Sequence, residues 1–342
     1  MRQSGADRTN ISSRGVELAI VVALVMLSAL PVRAQDFRAA DGIESFSGLE
    51  GELLTEVPIE VDGEWLIVPV EARGRSYRFI LDTGATTGAI ARSLARQLGL
   101  QAVGEAKLSG ASGQARVPVV TTKLLRLGDV RAGNWEKYVL DDEVLADGDD
   151  HRFDGIVGSD LLKYYDVFID APGRTLRLYK RGTTDKDSGP VVGPDDAVPF
   201  ERVRRGIIRF EVLVNGSAVD AVLDSGSPAL LLNPTAADAT GVTVTEEPVS
   251  EQSRGIGSKE VPTYGARIAS IRIGRTSLES FDGEVADLPI FGRLGLDDRP
   301  AMLLGSPFLL RCPLLISWSA RELRFCRQAV GPEGAAHESP IR

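Results

Sequence analysis

Apolar and polar positions along this chain alternate in short runs broken by turn residues, the pattern of a β-rich protein. Trp65-Leu66-Ile67-Val68-Pro69-Val70 and Tyr77-Arg78-Phe79-Ile80-Leu81 flank Arg73-Gly74-Arg75, which predicts a hairpin. Residues 89–99 have helical spacing and a glycine stop, and predict a helix. Leu124-Leu125-Arg126-Leu127-Gly128 predicts a further strand. Tyr165-Asp166-Val167-Phe168-Ile169-Asp170 and Thr175-Leu176-Arg177-Leu178-Tyr179 predict a second hairpin, turning at Pro172-Gly173, with Asp170 capping the turn. A polar connector with Gly182, Gly189, Pro190, Gly193 and Pro194 follows, and then the pattern begins again.

The second half repeats the first. Val57-Pro58-Ile59-Glu60 is echoed by Val198-Pro199-Phe200-Glu201. At an offset of 142, Gly74 falls on Gly216, Leu81 on Leu223, Asp82 on Asp224 and Gly84 on Gly226. Leu125-Arg126-Leu127-Gly128 is echoed by Ile271-Arg272-Ile273-Gly274 at offset 146. At 147, Gly158 falls on Gly305, Ser159 on Ser306, Ile169 on Ile316 and Arg174 on Arg321. The slow drift is that of loop insertions between matching strands, so the chain reads as a tandem duplication of one β-rich lobe.

Composition narrows the function. The 342 residues suit two domains of ordinary size, 43% apolar and only 6% aromatic, with 36 glycines for turns. Net charge is −9 and no basic run stands out, which argues against nucleic-acid binding. Two distant histidines, His151 and His337, give poor support to a histidine triad or a histidine-rich zinc site. The acids between 141 and 150 lack the spacing of an EF-hand loop and read as a solvated loop, so neither metal nor cofactor is expected. Trp65, Trp135 and Trp318 read as core or interface packing.

Arg2, Arg8 and Arg14 precede an apolar run from Leu18 to Leu27, and Val32-Arg33-Ala34 follows Pro31. This is the pattern of a secretory signal peptide cut after Ala34; the alternative is a membrane anchor at residues 18–30. No other segment is long and apolar enough to span a membrane. The two cysteines, Cys312 and Cys326, flank a hairpin whose centre the repeat register carries to Ser319-Ala320. They fall nearly opposite each other on paired strands, and export to an oxidising compartment favours a disulfide over two buried thiols.

The candidate chemistry lies in two short stretches, Phe79-Ile80-Leu81-Asp82-Thr83-Gly84-Ala85 and Ala221-Val222-Leu223-Asp224-Ser225-Gly226-Ser227. Each reads as a buried strand delivering one carboxylate onto a tight turn. Two carboxyls at one place share a proton, because like charges in a site of low dielectric do not both ionise cheaply. The ionised member can then take a proton from water while the neutral one donates to a carbonyl oxygen. Gly84 and Gly226 are expected to supply close backbone approach and dihedrals that other residues resist. The hydroxyls of Thr83 and Ser225 are expected to bond to the opposite loop.

These residues resemble the aspartic protease superfamily, and most closely a bacterial retropepsin-like member with two fused lobes. Leu81-Asp82-Thr83-Gly84-Ala85 and Leu223-Asp224-Ser225-Gly226-Ser227 carry the resemblance, together with Ile156-Val157-Gly158 and Leu303-Leu304-Gly305. It covers roughly residues 57–328. It implies an all-β, two-lobed pepsin/retropepsin-like fold of tandem duplicated β-barrel lobes, with the second signature of each lobe packed beside the aspartate loop. It also implies catalytic aspartates at Asp82 and Asp224, an extended peptide between the lobes, and no cofactor. A monomer is expected, since the internal duplication supplies both halves. The alternative is a catalytically silent peptide-binding or scaffold protein on the same fold. No flap tyrosine is evident; the flap candidates are Gly110, Ser112 and Gly113 in lobe one and Gly255 and Gly257 in lobe two. The chain then divides into a signal peptide (1–34), an N-terminal arm (35–56), lobe one (57–180), a linker (181–197), lobe two (198–328) and a polar tail (329–342).

Overall fold

The computed structural model describes residues 20–21, 53–111, 113–147, 151–184, 196–204, 206–250, 253–254 and 261–326. Most of the expected signal peptide, linker and arm, the polar tail, and flap candidates Ser112, Gly255 and Gly257 lie outside them. Two eight-stranded sheets share one order of strands. In the first the order is Glu60–Asp62, Trp65–Ala72, Arg75–Leu81, Gly155–Val157, Ala89–Ala91, Val130–Leu140, Gln114–Leu127 and Ala102–Ser109. In the second it is Glu201–Val203, Ile207–Val214, Ser217–Leu223, Ala301–Leu304, Leu231–Leu232, Thr276–Val285, Thr263–Ile273 and Thr243–Ser250. Each sheet curls back on itself through one extra pairing, Glu71 with Arg126 and Leu213 with Arg272. The internal repeat is thus a repeat of topology, and the fold is all-β and two-lobed.

The predicted hairpin at Arg73-Gly74-Arg75 forms, with Arg73 and Gly74 at positive φ. The helical reading of residues 89–99 holds only in part. Ala89–Ala91 is a fully buried strand, and the helix is Arg92–Gln97. Three small or branched apolar residues entering a closed sheet are satisfied by cross-strand pairing before the helical period can act. The hairpin Tyr165–Asp170 with Thr175–Lys180 turns with Arg174 at φ 58°, and Arg321 repeats this at φ 60° in lobe two. Asp170 caps the turn, accepting the Gly173 N–H at 2.8 Å.

The two halves do not simply abut. Both C-terminal hairpins join one six-stranded sheet, ordered Val198–Pro199, Glu322–Phe325, Leu314–Ser317, Tyr165–Asp170, Thr175–Lys180 and Leu53–Pro58. At its centre Phe168 pairs with Leu315, Val167 with Ile316 and Ile169 with Leu314. At offset 147 these are exchanged repeat partners, so a pseudo-twofold axis passes through Phe168 and Leu315. Buried Asp166 ties this sheet to the start of the linker: it accepts from Trp318 N–H at 3.1 Å, Gly182 N–H at 2.8 Å and Thr184 Oγ1 at 2.9 Å.

Cys312 and Cys326 form a disulfide, with Cα atoms 5.0 Å apart and a sequence separation of 14. The bridge closes the Leu314–Ser317/Glu322–Phe325 hairpin near its open end. In the chain-entropy model a loop of this length contributes about 3 kcal/mol. The double variant Cys312→Ser/Cys326→Ser is therefore expected to lose about 2–4 kcal/mol in urea unfolding, and reductant is expected to lower the wild type to the same level.

Candidate active site

Each aspartate sits at the end of a central strand that is buried on both faces. Phe79, Ile80 and Leu81 are at most 3% exposed, as are Ala221, Val222 and Leu223. Gly155–Val157 runs parallel to Arg75–Leu81, and Ala301–Leu304 runs parallel to Ser217–Leu223. The crossing strand then holds the loop. Asp82 N–H donates to Val157 O at 3.0 Å and Ser159 N–H to Ala85 O at 2.7 Å. The matching bonds in lobe two are Asp224 N–H to Leu304 O at 3.1 Å and Ser306 N–H to Ser227 O at 2.9 Å. Gly305 is required where the chains cross: a Cβ there would lie 2.1 Å from Ala229 O.

The two loops meet across the lobe boundary through four reciprocal hydrogen bonds. Thr83 N–H donates to Ser225 Oγ at 3.0 Å, and Ser225 N–H to Thr83 Oγ1 at 2.9 Å. Thr83 Oγ1 donates to Leu223 O at 3.1 Å, and Ser225 Oγ to Leu81 O at 2.7 Å. Both hydroxyls are buried, so each acts as donor and acceptor with no water needed. The expected role of Thr83 and Ser225 toward the opposite loop is matched bond for bond.

Each carboxyl rests against the glycine of the other loop. A Cβ on Gly84 would lie 2.4 Å from Asp224 Oδ1, and one on Gly226 would lie 2.3 Å from Asp82 Cγ. Neither glycine has a positive φ. The expectation of unusual dihedrals is therefore corrected: these positions need glycine for space alone.

Asp82 and Asp224 are both 1% exposed. Burial, reinforced by the Asp224 charge, holds Asp82 well above the usual carboxylate range, although its Oδ1 accepts Gly84 N–H at 2.8 Å and Ala85 N–H at 2.9 Å. Burial pushes Asp224 up to about 7. Among the described residues Asp224 makes no hydrogen bond of ordinary geometry, and its looser contacts are the Asp82 carboxyl and the Gly226 N–H. Buried polar atoms are nearly always partnered, so such a pair marks a place where chemistry or a ligand is accommodated. Together the two carboxyls hold a proton into the neutral range and titrate as a unit.

Of the flap candidates, Gly110 and Gly113 lie at the tip of a hairpin, where Ser109 pairs with Gln114 and Gly110 N–H donates to Gly113 O at 3.0 Å. Two side chains that hold the flap-candidate hairpin and the first aspartate loop carry no signal in the linear sequence. Arg293, on the lobe-two helix Pro289–Leu294, donates to both Gly110 O and Gly113 O. Lys137 is 2% exposed in the strand Val130–Leu140 and pairs with Asp160 at 2.6 Å, its Nζ 3.1 Å from the Trp135 ring centroid. Asp160 in turn accepts Gly88 N–H at 2.9 Å, bracing the loop that follows Asp82. The lobe-two counterpart of Asp160 is Pro307, so only the first aspartate loop has this brace.

Burial pulls Lys137 below its ordinary range despite the Asp160 charge, so the pair is held together rather than solvated. Lys137→Met strands Asp160 and is expected to cost about 3–5 kcal/mol in urea unfolding. Lys137→Met/Asp160→Asn is expected to recover most of that, because Asn keeps an acceptor for Gly88 and carries no charge.

A family model described as aspartyl protease matches the chain twice, over residues 68–161 and 210–308. The two matches together cover more than half of the chain, and each spans one aspartate loop with its Gly158 or Gly305 partner. No curated protein matches the chain.

Proposed function

This chain belongs to the aspartyl protease family, and from that premise we propose that it is an exported, monomeric aspartic endopeptidase whose catalytic pair is Asp82 and Asp224. The observation that carries the reading is the buried, reciprocally locked pair of carboxyls at the joint between lobes. The ionised member of the pair takes a proton from water, whose oxygen attacks the peptide carbonyl carbon. The protonated member donates to the carbonyl oxygen. Collapse of the tetrahedral adduct returns that proton to the pair and breaks the C–N bond, and the departing nitrogen takes up the other proton. No covalent enzyme intermediate forms. Thr83, Gly84, Ser225 and Gly226 hold the geometry, while Ala85 supplies an N–H to Asp82 and Ser227 accepts the crossing strand.

An extended peptide suits the space between two β lobes, held by main-chain hydrogen bonds. Export is supported by the Cys312–Cys326 disulfide, which persists in an oxidising compartment. Among the described residues, no helix is long and apolar enough to cross a membrane.

The test is cleavage of a mixed peptide library by the chain from residue 35, across pH 3–8. Activity is expected to follow a bell-shaped pH profile, rising as the first carboxyl of the pair ionises and falling as the second does, because one must be ionised while the other holds the proton. A folded wild type that cuts nothing at any of these pH values sinks the enzymatic reading and leaves a peptide-binding protein on the same fold.

A further inference from the structure

The lobe-one hairpin does not end in solvent. Its arms, Ala102–Ser109 and Gln114–Leu127, belong to the first eight-stranded sheet, yet its tip is seated on the second lobe. Ala111, 3% exposed, joins an apolar cluster whose other members include Ile207, Leu231, Leu288 and Phe291, all of lobe two. Beside it, Arg293 Nη1 donates to Gly110 O at 2.5 Å and to Gly113 O at 2.9 Å. These are charge-assisted bonds to two carbonyls of one turn, made by a single guanidinium nitrogen that burial partly removes from water. The lobes are therefore joined at the aspartate loops, at the six-stranded sheet and at this hairpin tip.

Resting on the proteolytic reading above, we propose that Arg293 is a positioning residue that anchors the lobe-one hairpin to lobe two, so that the peptide cleft is a roofed channel, spanned from lobe to lobe before substrate arrives. The physical gain is preorganisation: the turn's ordering entropy is lost in folding, not at the moment of binding. The anchor also answers the missing flap tyrosine, because the hairpin is held by its backbone carbonyls from the opposite lobe and needs no side chain of its own. A roofed channel admits an extended segment of peptide and excludes a folded loop, unless the tip is released. Admission of longer substrates thus runs through breaking the Arg293 bonds and lifting Ala111 from its pocket.

The experiment compares amide hydrogen exchange over residues 108–117 in the wild type and in Arg293→Gln, with Ala111→Glu as a second variant that frees the tip by placing a charge in the apolar pocket. Both variants are expected to exchange at least ~10-fold faster in this segment, with the rest of the chain unchanged. On a peptide the wild type cleaves, Arg293→Gln is expected to lose about 10- to 100-fold in kcat/KM, mostly in kcat, and Arg293→Lys to regain part of it. Unchanged exchange at 108–117 in both variants overturns the proposal, as does a kinetic loss confined to KM. A wild type without turnover defeats the proteolytic reading, while the exchange comparison still decides whether Arg293 is the anchor.

Discussion

Asp82→Asn and Asp224→Asn are each expected to reduce peptide cleavage by at least ~10³-fold and, at pH 7, to unfold at higher denaturant concentration than the wild type. The activity loss follows from the division of labour. One carboxyl must be ionised and the other protonated, and an amide can do neither job. Members of such a unit are not additive, so the double variant is expected to be no worse than either single one. The stability gain follows from burial. Asp224 holds its proton up to about 7, above its unfolded value of 3.8, so the folded state binds protons that the unfolded state has released. Wild-type stability is therefore fullest below about pH 4 and declines as pH rises through about 7. The Asn variant has no such decline at this position. Its advantage should be near zero at pH 4, grow between pH 4 and 7, and level off at about 4 kcal/mol above that. Urea unfolding of wild type and variants at pH 4, 5.5 and 7.5 measures it. An advantage that is flat across this range, or that grows toward acid, contradicts the account of the pair.

Gly84→Ala and Gly226→Ala are expected to lose about 10²- to 10³-fold in kcat/KM with both carboxyls still present. The added Cβ would lie 2.4 Å from Asp224 Oδ1 in one case and 2.3 Å from Asp82 Cγ in the other. Ordinary contact is about 1 Å longer, and the loops on either side are locked by the Thr83–Ser225 bonds, so the opposite carboxyl must move. A misplacement of about 1 Å at reacting groups is worth about 10²-fold, and overpacking a locked site costs a further 1–3 kcal/mol or so of stability. Gly74→Ala is the control. Gly74 has φ +75° with nothing within 4 Å of its would-be Cβ, so alanine there strains a surface hairpin and leaves turnover within about 2-fold. Steady-state kinetics on one peptide, at the pH optimum of each variant, separates the two outcomes. If Gly84→Ala behaves like Gly74→Ala, the carboxyls are not pressed against these glycines in solution.

Much of the fold was legible because it is written twice. The drift of the repeat offset from 142 through 146 to 147 marks the loops where the lobes differ, and the strands between them keep one order. The register even anticipates the hairpin that carries the disulfide, since Arg321 takes up the left-handed turn position of Arg174. Local signals failed where a residue's partner is distant in sequence. Ala89–Ala91 has helical spacing, but its strand neighbours come from Gly155–Val157 and Val130–Leu140. Lys137 looks like an ordinary strand lysine until Asp160 meets it, and Arg293 finds its carbonyls some 180 residues upstream.

By itself, then, the sequence determined the two β lobes, the pairing of one acid per lobe and the register that makes them equivalent. Those properties depend on apolar period, turn residues and repetition, which are local or self-referential. The tertiary structure alone decided how the halves are joined: the shared sheet about Phe168 and Leu315, the glycines chosen for space and not for dihedral, the brace under Asp82, and the arginine that holds the hairpin from the opposite lobe. The physical reason is that burial, desolvation and hydrogen-bond satisfaction belong to pairs of groups. Where the two members of a pair lie tens to hundreds of residues apart, no short window of the chain contains both.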